Sequence, residues 1–268
     1  MKFGTVLLAA AGVLGLSAHA SMAASILIDD FSTNGTVVAA LQGNPVEQDF
    51  NGGGILGSVR TMWVSTDGSD DVGTSLSVSG GSGAVNFNNG TNATGQAVLL
   101  YDGGGMGAAQ TFTFASSPAT QINVDVGGLG GLNFVVGSSL GASTFEFDVL
   151  SFDASDGGIP AELDFRAYAW DTSGNVATYF EKLINPFDVP VITFDTALSL
   201  DEFTFDASFD WTDIGALAFS VESISAEFDG ALGTISVVPL PASAWLLLGG
   251  LGGLAGVSAA SKRRRRKS

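Results

Sequence analysis

The chain has no cysteine and one histidine, His19, in 268 residues. Without cysteine there is no disulfide scaffold, thiolate zinc site or thiol nucleophile. Basic residues are also scarce: 10 Lys and Arg stand against 27 Asp and Glu, a formal net charge of −17. Phosphate recognition needs a basic footprint, so this balance argues against nucleic acid as a partner. Charged residues make up only 14% of the chain and hydrophobic ones 46%, with 37 glycines. Low charge and ample apolar surface suit one packed β domain better than a chain too polar to fold.

The two ends read as addresses. Residues 1–24 have the layout of a secretory signal peptide for export through the Sec pathway. Lys2 is the positive n-region and residues 3–16 are the apolar stretch. Ala18 and Ala20 flank His19 in a small-x-small cleavage site, and Met22-Ala23-Ala24 offers a second. An uncleaved anchor is the alternative, but the apolar stretch is shorter than the ~20 residues a spanning helix needs.

At the other end, residues 237–268 carry three parts in order. Val238-Pro239-Leu240-Pro241-Ala242 comes first. A span anchored by Trp245, Leu246, Leu247, Leu248, Leu251 and Leu254 follows, and Lys262-Arg263-Arg264-Arg265-Arg266-Lys267 closes it. Residues 242–260 hold no charge over 19 positions, about the length of a helix crossing a bilayer core. Trp245 falls where an interfacial aromatic belongs, and the basic cluster stays cytoplasmic by the positive-inside rule. Behind a cleaved leader, this places the body outside the cytoplasmic membrane. Gly249-Gly250-Leu251-Gly252-Gly253 reads either as a helix-pairing face or as a weakened helix suited to an intramembrane protease. The prolines ahead of the span cannot continue its helix, so the motif is expected to be extended and open.

A short proline motif, a Leu/Gly-rich span and a terminal Arg cluster together resemble a PEP-CTERM sorting signal. Val238 to Ala242 resembles the VPLPA variant of that family. The resemblance implies a transient inner-membrane anchor cut by an exosortase-type transpeptidase in Gram-negative bacteria that make exopolysaccharide. The opening lacks the Pro-Glu-Pro triplet, so a cut within Val238–Ala242 is inferred from the variant.

The body, residues 25–236, keeps all 27 acids and only Arg60, Arg166 and Lys182, a net of −24 once both ends are gone. It holds neither His nor Cys, which excludes Ser-His-Asp and Cys-His catalysis and His-ligated zinc, copper or haem. Phe145-Glu146-Phe147-Asp148-Val149, the run Leu163 to Trp170, and Phe203-Thr204-Phe205-Asp206 alternate with period 2. That period puts the aromatics on one face and the carboxylates on the other. Further strands are expected around Ile26–Ile28, Thr36–Val38, Thr61–Val64, Ala97–Tyr101, Thr111–Phe114, Ile122–Val126, Leu217–Val221 and Thr234–Val237. Turns are expected at Asn51-Gly52-Gly53-Gly54, Asp67-Gly68, Asn89-Gly90, Asp102-Gly103-Gly104-Gly105, Asp156-Gly157-Gly158 and Asp229-Gly230. The predicted fold is an all-β, antiparallel, jelly-roll-like sandwich between the signal peptide and a transmembrane helix. Ile28-Asp29-Asp30-Phe31-Ser32, Gly57-Ser58-Val59-Arg60 and the run Trp211 to Leu217 resemble PEP-CTERM-anchored domains. They also resemble carbohydrate-binding-module sandwiches in which the first and last strands pair.

Several side chains invite a functional reading. Asp67, Asp70 and Asp71 are candidate ligands for a structural calcium, but their loop lacks the glycine and glutamate of an EF-hand; the alternative is a solvated acidic surface. No other cofactor is implied. Trp63, Trp170, Trp211, Tyr101, Tyr168 and Tyr179 either stack on sugar or form core, as aromatics do in sandwiches. Arg60 and Arg166 pair with nearby carboxylates or clamp an acidic ligand. Glu146, Asp148 and Asp164 are expected to face water. A glycosidase needs two carboxyls roughly 5–9.5 Å apart across a cleft. With 27 acids such a pair can always be found, so the signal selects nothing. The leading reading is a non-enzymatic surface or matrix protein associated with exopolysaccharide. Its alternatives are a carbohydrate-binding module and a polysaccharide-active hydrolase.

Overall fold

A chain rich in alternating apolar and polar residues, broken by Gly, Asn and Asp, buries its apolar phase by pairing strands and stacking sheets. The computed structural model describes residues 25–39, 44–68, 73–78, 83–90, 93–114, 120–135, 140–154, 161–185, 194–224 and 228–239. These fall within one contact unit, Ala24–Leu240. Sixteen strands are described: β1 (Ile26–Asp29), β2 (Gly35–Ala39), β3 (Val46–Asn51), β4 (Val59–Gly68), β5 (Thr74–Val78), β6 (Val85–Asn89), β7 (Ala93–Tyr101), β8 (Ala108–Phe112), β9 (Thr120–Val124), β10 (Ser143–Ala154), β11 (Ala161–Asp171), β12 (Val176–Asn185), β13 (Phe194–Ser199), β14 (Thr204–Phe205), β15 (Ile214–Ser223) and β16 (Phe228–Pro239).

Sheet I runs β13-β10-β16-β6-β5-β2, with β1 also on β16. Sheet II runs β14-β12-β11-β15-β7-β4-β3, and β8 and β9 form a separate hairpin. All pairings are antiparallel, as expected of a sandwich. The main core lies between the sheets and includes Ile28, Met62, Leu99, Phe145, Phe147, Phe165, Leu217, Phe219 and Ile235. Phe145 and Phe147 meet Phe219 edge-on at 5.9 and 5.2 Å, which joins the two sheets at their centre. The first and last strands pair, with Ile26 opposite Val237.

A second apolar layer is the feature that the alternation rule misplaces. On β10 the rule holds: Phe145 and Phe147 point inward while Glu146 and Asp148 are exposed. On β11 it fails. Leu163 and Phe165 join the main core, while Tyr168 and Trp170 lie on the same phase as Asp164 and Arg166. They face away from sheet I and are covered by the β8–β9 hairpin through Phe112, Phe114, Ile122 and Val124. Both faces of the sheet are apolar at that point, so aromatics occur on both phases of the strand.

Three other expectations change. Asp67-Gly68, expected as a turn, are the last two residues of β4, opposite Thr94 and Ala93. Asp229-Gly230 is no turn: both residues sit inside β16, with Gly230 opposite Phe87 and Phe152. A Cβ on Gly230 would lie 3.1 Å from the Phe228 ring, so this glycine leaves room for packing. The stretch Phe203 to Asp206 supplies only the two-residue β14. Its aromatics instead surround Trp211, with Phe203 at 5.0 Å and Phe205 at 6.2 Å, and Phe209 joins them at 4.9 Å. By contrast, the turn after β7 forms as predicted. Gly103 and Gly104 adopt φ of 71° and 74°, where a side chain would be strained, and the Gly104 N–H donates to Asp102.

Candidate functional site

The outer face of sheet II is best read row by row across the strands. One row runs Lys182, Asp164, Glu222, Gln96, Ser65. The next runs Phe180, Arg166, Ser220, Val98, Trp63, Glu47. The third is Thr178, Tyr168, Ala218, Leu100, Thr61, Asp49, and the fourth brings Val176 beside Trp170 and Ala216. The hairpin covers Tyr168, Ala218 and Leu100 of the third row, Trp170 and Ala216 of the fourth, and Val98 and Trp63 of the second. Phe112 lies 4.8 Å from Tyr168 and 5.8 Å from Trp170, Phe114 stacks 6.0 Å from Trp63, and Thr113 N–H donates to the Tyr168 hydroxyl. Asp102 ties the hairpin's far end to β7, since its Oδ2 accepts from Asp125 N–H at 2.9 Å.

This arrangement decides the aromatic question. Trp63, Trp170, Trp211, Tyr101 and Tyr168 are all buried, so they are core, and Tyr179 is half-buried. No sugar can stack on the first five without displacing the hairpin or opening the sandwich.

What lies outside the apolar rows is polar and loosely joined. Asp164, expected to face water, is 2% exposed; Glu222 and Gln96 beside it are also buried. Lys182 and Gln96 on other strands and Arg166 two residues along β11 crowd Asp164 and Glu222, which is why the polar phase of β11 is not solvated. Arg166 reaches both carboxylates, but Nη2 is 3.5 Å from Asp164 Oδ2 and Nη1 is 3.9 Å from Glu222 Oε2. Charge-assisted hydrogen bonds close to about 2.7–2.9 Å, so these are ion pairs without full hydrogen bonds. Asp164 Oδ1 and Arg166 Nη1 have no hydrogen-bond partner. Burial raises the Asp164 carboxyl above its ordinary pKa; Arg166 opposes that and Glu222 adds to it. Gln96 Nε2 donates to Glu222 Oε1 at 3.4 Å. The Arg166 guanidinium lies over the Phe180 ring at 4.5 Å, and Phe180 is 53% exposed. Lys182 pairs with Glu162 at 2.6 Å on the solvent side.

The other arginine is structural. Arg60 is fully buried; Nη1 donates to Asp29 Oδ2 and Nη2 to the Thr33 carbonyl, each at 2.7 Å. Tyr101 OH donates to Asp29 Oδ2 at 3.0 Å and Phe31 N–H to Oδ1 at 2.7 Å. Burial raises the Asp29 carboxyl and Arg60 opposes the rise. Two motifs quoted from the sequence thus meet: the segment around Asp29 is held to sheet II by the arginine after the Gly57-Ser58 turn.

Asp67 is exposed at the end of β4, where its carbonyl accepts from Thr94 Oγ1 at 3.1 Å. Asp70 and Asp71 lie outside the described residues. Among the described residues no three acidic or histidine side chains converge to hold a metal. Asp171, buried in the β11–β12 turn, accepts from the N–H groups of Ser173, Asn175 and Asp210 and from the Asn175 side chain. Four donors fill the sites of a carboxylate. Between the sheets lies an apolar cavity of about 100 Å³ lined by Leu76, Phe87, Phe165, Phe219 and Phe228, with Glu181 its one charged residue. Glu181 accepts from Tyr179 OH at 3.0 Å.

Of the sorting motif, Val238 and Pro239 are inside β16, opposite Thr144 and Ser143 of β10. They are extended, as expected, but they are sheet residues and not an open tail. Leu240, Pro241, Ala242, the span from Trp245 to Leu254, the cluster Lys262 to Lys267, and Ala18 and Ala20 lie outside the described residues. Among the described residues no helix is long and apolar enough to cross a membrane.

No family model and no curated protein matches this chain. Among solved structures it is similar to a family 11 carbohydrate-binding module from Clostridium thermocellum in complex with a β-1,3-1,4-mixed-linked tetrasaccharide. The identity is 11%, with 81% of this chain and 96% of that one covered and a TM-score of 0.34. It is also similar to a chain described under the promiscuous specificity of carbohydrate-binding modules from the β-sandwich superfamily. There the identity is 12%, the coverage 78% and 62%, and the TM-score 0.30.

Proposed function

We propose that this protein is an exported, non-catalytic β-sandwich that reaches the cell surface or extracellular polysaccharide. Its leader is removed on export. The apolar segment near the C-terminus holds it in the inner membrane, and an exosortase-type transpeptidase cuts within the motif Val238 to Ala242. The observation that carries this reading is the β1–β16 ladder, with Ile26 opposite Val237. Neighbouring strands lie about 5 Å apart, so Ile26 and Val237, near the two ends of the described sandwich, lie side by side. Protease shaving of intact and permeabilised cells tests this. The sandwich is expected to be cut in cells whose outer layer alone is opened, with the cytosol still sealed. Protection until the cytosol is opened refutes the reading.

The polar rows beside Arg166 favour a second, more specific reading: the sandwich acts as a carbohydrate-binding module. The exposed Phe180 ring, with the Arg166 guanidinium over it and Lys182 two residues along the strand, is chemistry that sugars engage, through C–H groups on their faces and hydroxyls at their edges. Co-sedimentation of the full chain with the producing cell's own polysaccharide tests it; the protein is expected in the pellet only when polymer is present.

A further inference from the structure

Protein interiors are close-packed, with few voids larger than a water molecule, yet the space between these two sheets keeps an apolar cavity of about 100 Å³. Its deep wall is made by Leu76, Phe87, Leu99, Phe147, Phe219 and Phe228, each at most 6% exposed. Val149, Val221 and Leu232 line it too, and they pack against the main core while staying only half-buried. A side chain that faces the core and still meets water marks an opening. The cavity is therefore a blind pocket with a mouth between β10, β16 and β15.

One charged group stands in its wall. Glu181 lies opposite Phe165 on the phase of β12 that faces the core, and it is half-buried, so solutes can reach it. Its Oε2 accepts from Tyr179 OH at 3.0 Å, and among the described residues Oε1 has no partner. The body has only three cations to offer, and each is engaged elsewhere: Arg60 with Asp29, Arg166 with Asp164 and Glu222, Lys182 with Glu162. An inward charge on an edge strand also deters strand pairing between copies. That role does not require the carboxylate to border a pocket.

We infer that this pocket binds a small apolar ammonium compound, with its hydrocarbon body among the phenylalanines and its charged nitrogen donating to Glu181 Oε1. An apolar cavity of about 150 Å³ takes a benzene ring, so this one suits a body of about four or five carbons. The charge of −24 draws cations and repels carboxylates, and a short fatty acid would set its own carboxylate against Glu181. A sugar would leave hydroxyls unpaired among five phenylalanine rings. The pocket lies between the sheets, apart from the outer face of sheet II, and does not depend on the carbohydrate reading.

The test is a saturation-transfer NMR titration of the full chain in lipid nanodiscs with pentylammonium, pentanol or pentanoate, empty nanodiscs serving as the blank. Saturable binding of pentylammonium is expected, with pentanol roughly tenfold weaker and pentanoate indistinguishable from the blank. Glu181→Gln should bring pentylammonium to the level of pentanol. Val149→Phe, which fills the mouth, should abolish binding of both, and Val176→Ala, exposed on the outer face of β12, should bind like the parent. Glu181→Gln, at a half-buried edge position, decides the matter where Val149→Phe fails to fold. Equal binding of pentylammonium by the parent and Glu181→Gln overturns the proposal. So does a preference for pentanoate, or no binding of pentylammonium above the blank.

Discussion

Replacing Arg60 by Met tests how the N-terminal strand is secured. The substitution keeps most of the side chain's volume and removes the guanidinium. Asp29 is then left fully buried with only Tyr101 OH and Phe31 N–H as donors. Thr33 loses the donor to its carbonyl, and Phe31 and Phe50 lose the cation that lies 5.4 and 5.9 Å from their rings. Removing one partner of a buried ion pair costs about 3–5 kcal/mol, because the remaining charge is uncompensated. For a domain of this size each kcal/mol shifts the midpoint by roughly 2–4 °C, so melting should fall by about 6–20 °C. The pH dependence follows from the same group. The Asp29 carboxyl is already raised by burial, and losing Arg60 raises it further. A raised carboxyl contributes stability that is full below its unfolded value near 3.8 and is lost as pH rises through the folded value. The variant should therefore lie furthest below the parent at neutral pH and draw closer on acidification. Asp29→Asn combined with Arg60→Met removes the stranded charge and should recover much of the loss. Urea denaturation of the three proteins at pH 7 and pH 4.5 reads these differences. A loss under about 1 kcal/mol for Arg60→Met, or a double variant no more stable than the single one, refutes the reasoning.

Other consequences are as direct. Trp170→Ala should destabilise the chain by about 3–5 kcal/mol. It should also open the segment Ala108 to Val124 to limited proteolysis, since Trp170 is buried against Phe112; a loss below about 1 kcal/mol would mean the hairpin does not depend on it. The three tyrosines are all held un-ionised beyond their usual range: Tyr101 and Tyr168 by burial, and Tyr179 pushed up to about 12 by burial and Glu181. The stability that Tyr179 contributes is complete below pH 10 and fades as pH climbs through about 12. Absorbance at ~295 nm should show almost no tyrosinate in the native chain at about pH 10.5, where the unfolded chain is mostly ionised; half-ionisation of the native chain at pH 10 contradicts this.

Much of the sandwich was legible because β10 and β15 have large apolar residues at fixed parity. Strands β5 and β6 escaped notice: Thr74-Ser75-Leu76-Ser77-Val78 and Val85-Asn86-Phe87-Asn88-Asn89 carry two apolar residues each among small polar ones. Their strand character comes from pairing with each other and with β2 and β16. Strand β3 was missed for a related reason, since Val46 to Asn51 lies at an edge with little to bury; β12 was missed as well, although it is rich in apolar residues. The sequence did hold a signal for the second apolar layer. Tyr168 and Trp170 fall on the phase of Asp164 and Arg166, and a strand with aromatics on both phases is covered on both faces. The Arg166 cluster was half legible. Arginine paired with nearby acid was expected, and so it is with both arginines. The burial of Asp164 was not, because it depends on Lys182, Glu222 and Gln96 arriving from three other strands.

Mass spectrometry of the mature protein recovered from the cell surface or culture medium tests the central claim most directly. The account predicts an N-terminus between residues 21 and 25. It predicts a C-terminus beyond Pro239 and no later than Ala242, because Val238 and Pro239 are locked into the ladder with β10. An intact chain of 268 residues, soluble in the cytosol with Met1 and the terminal arginine cluster still attached, contradicts it.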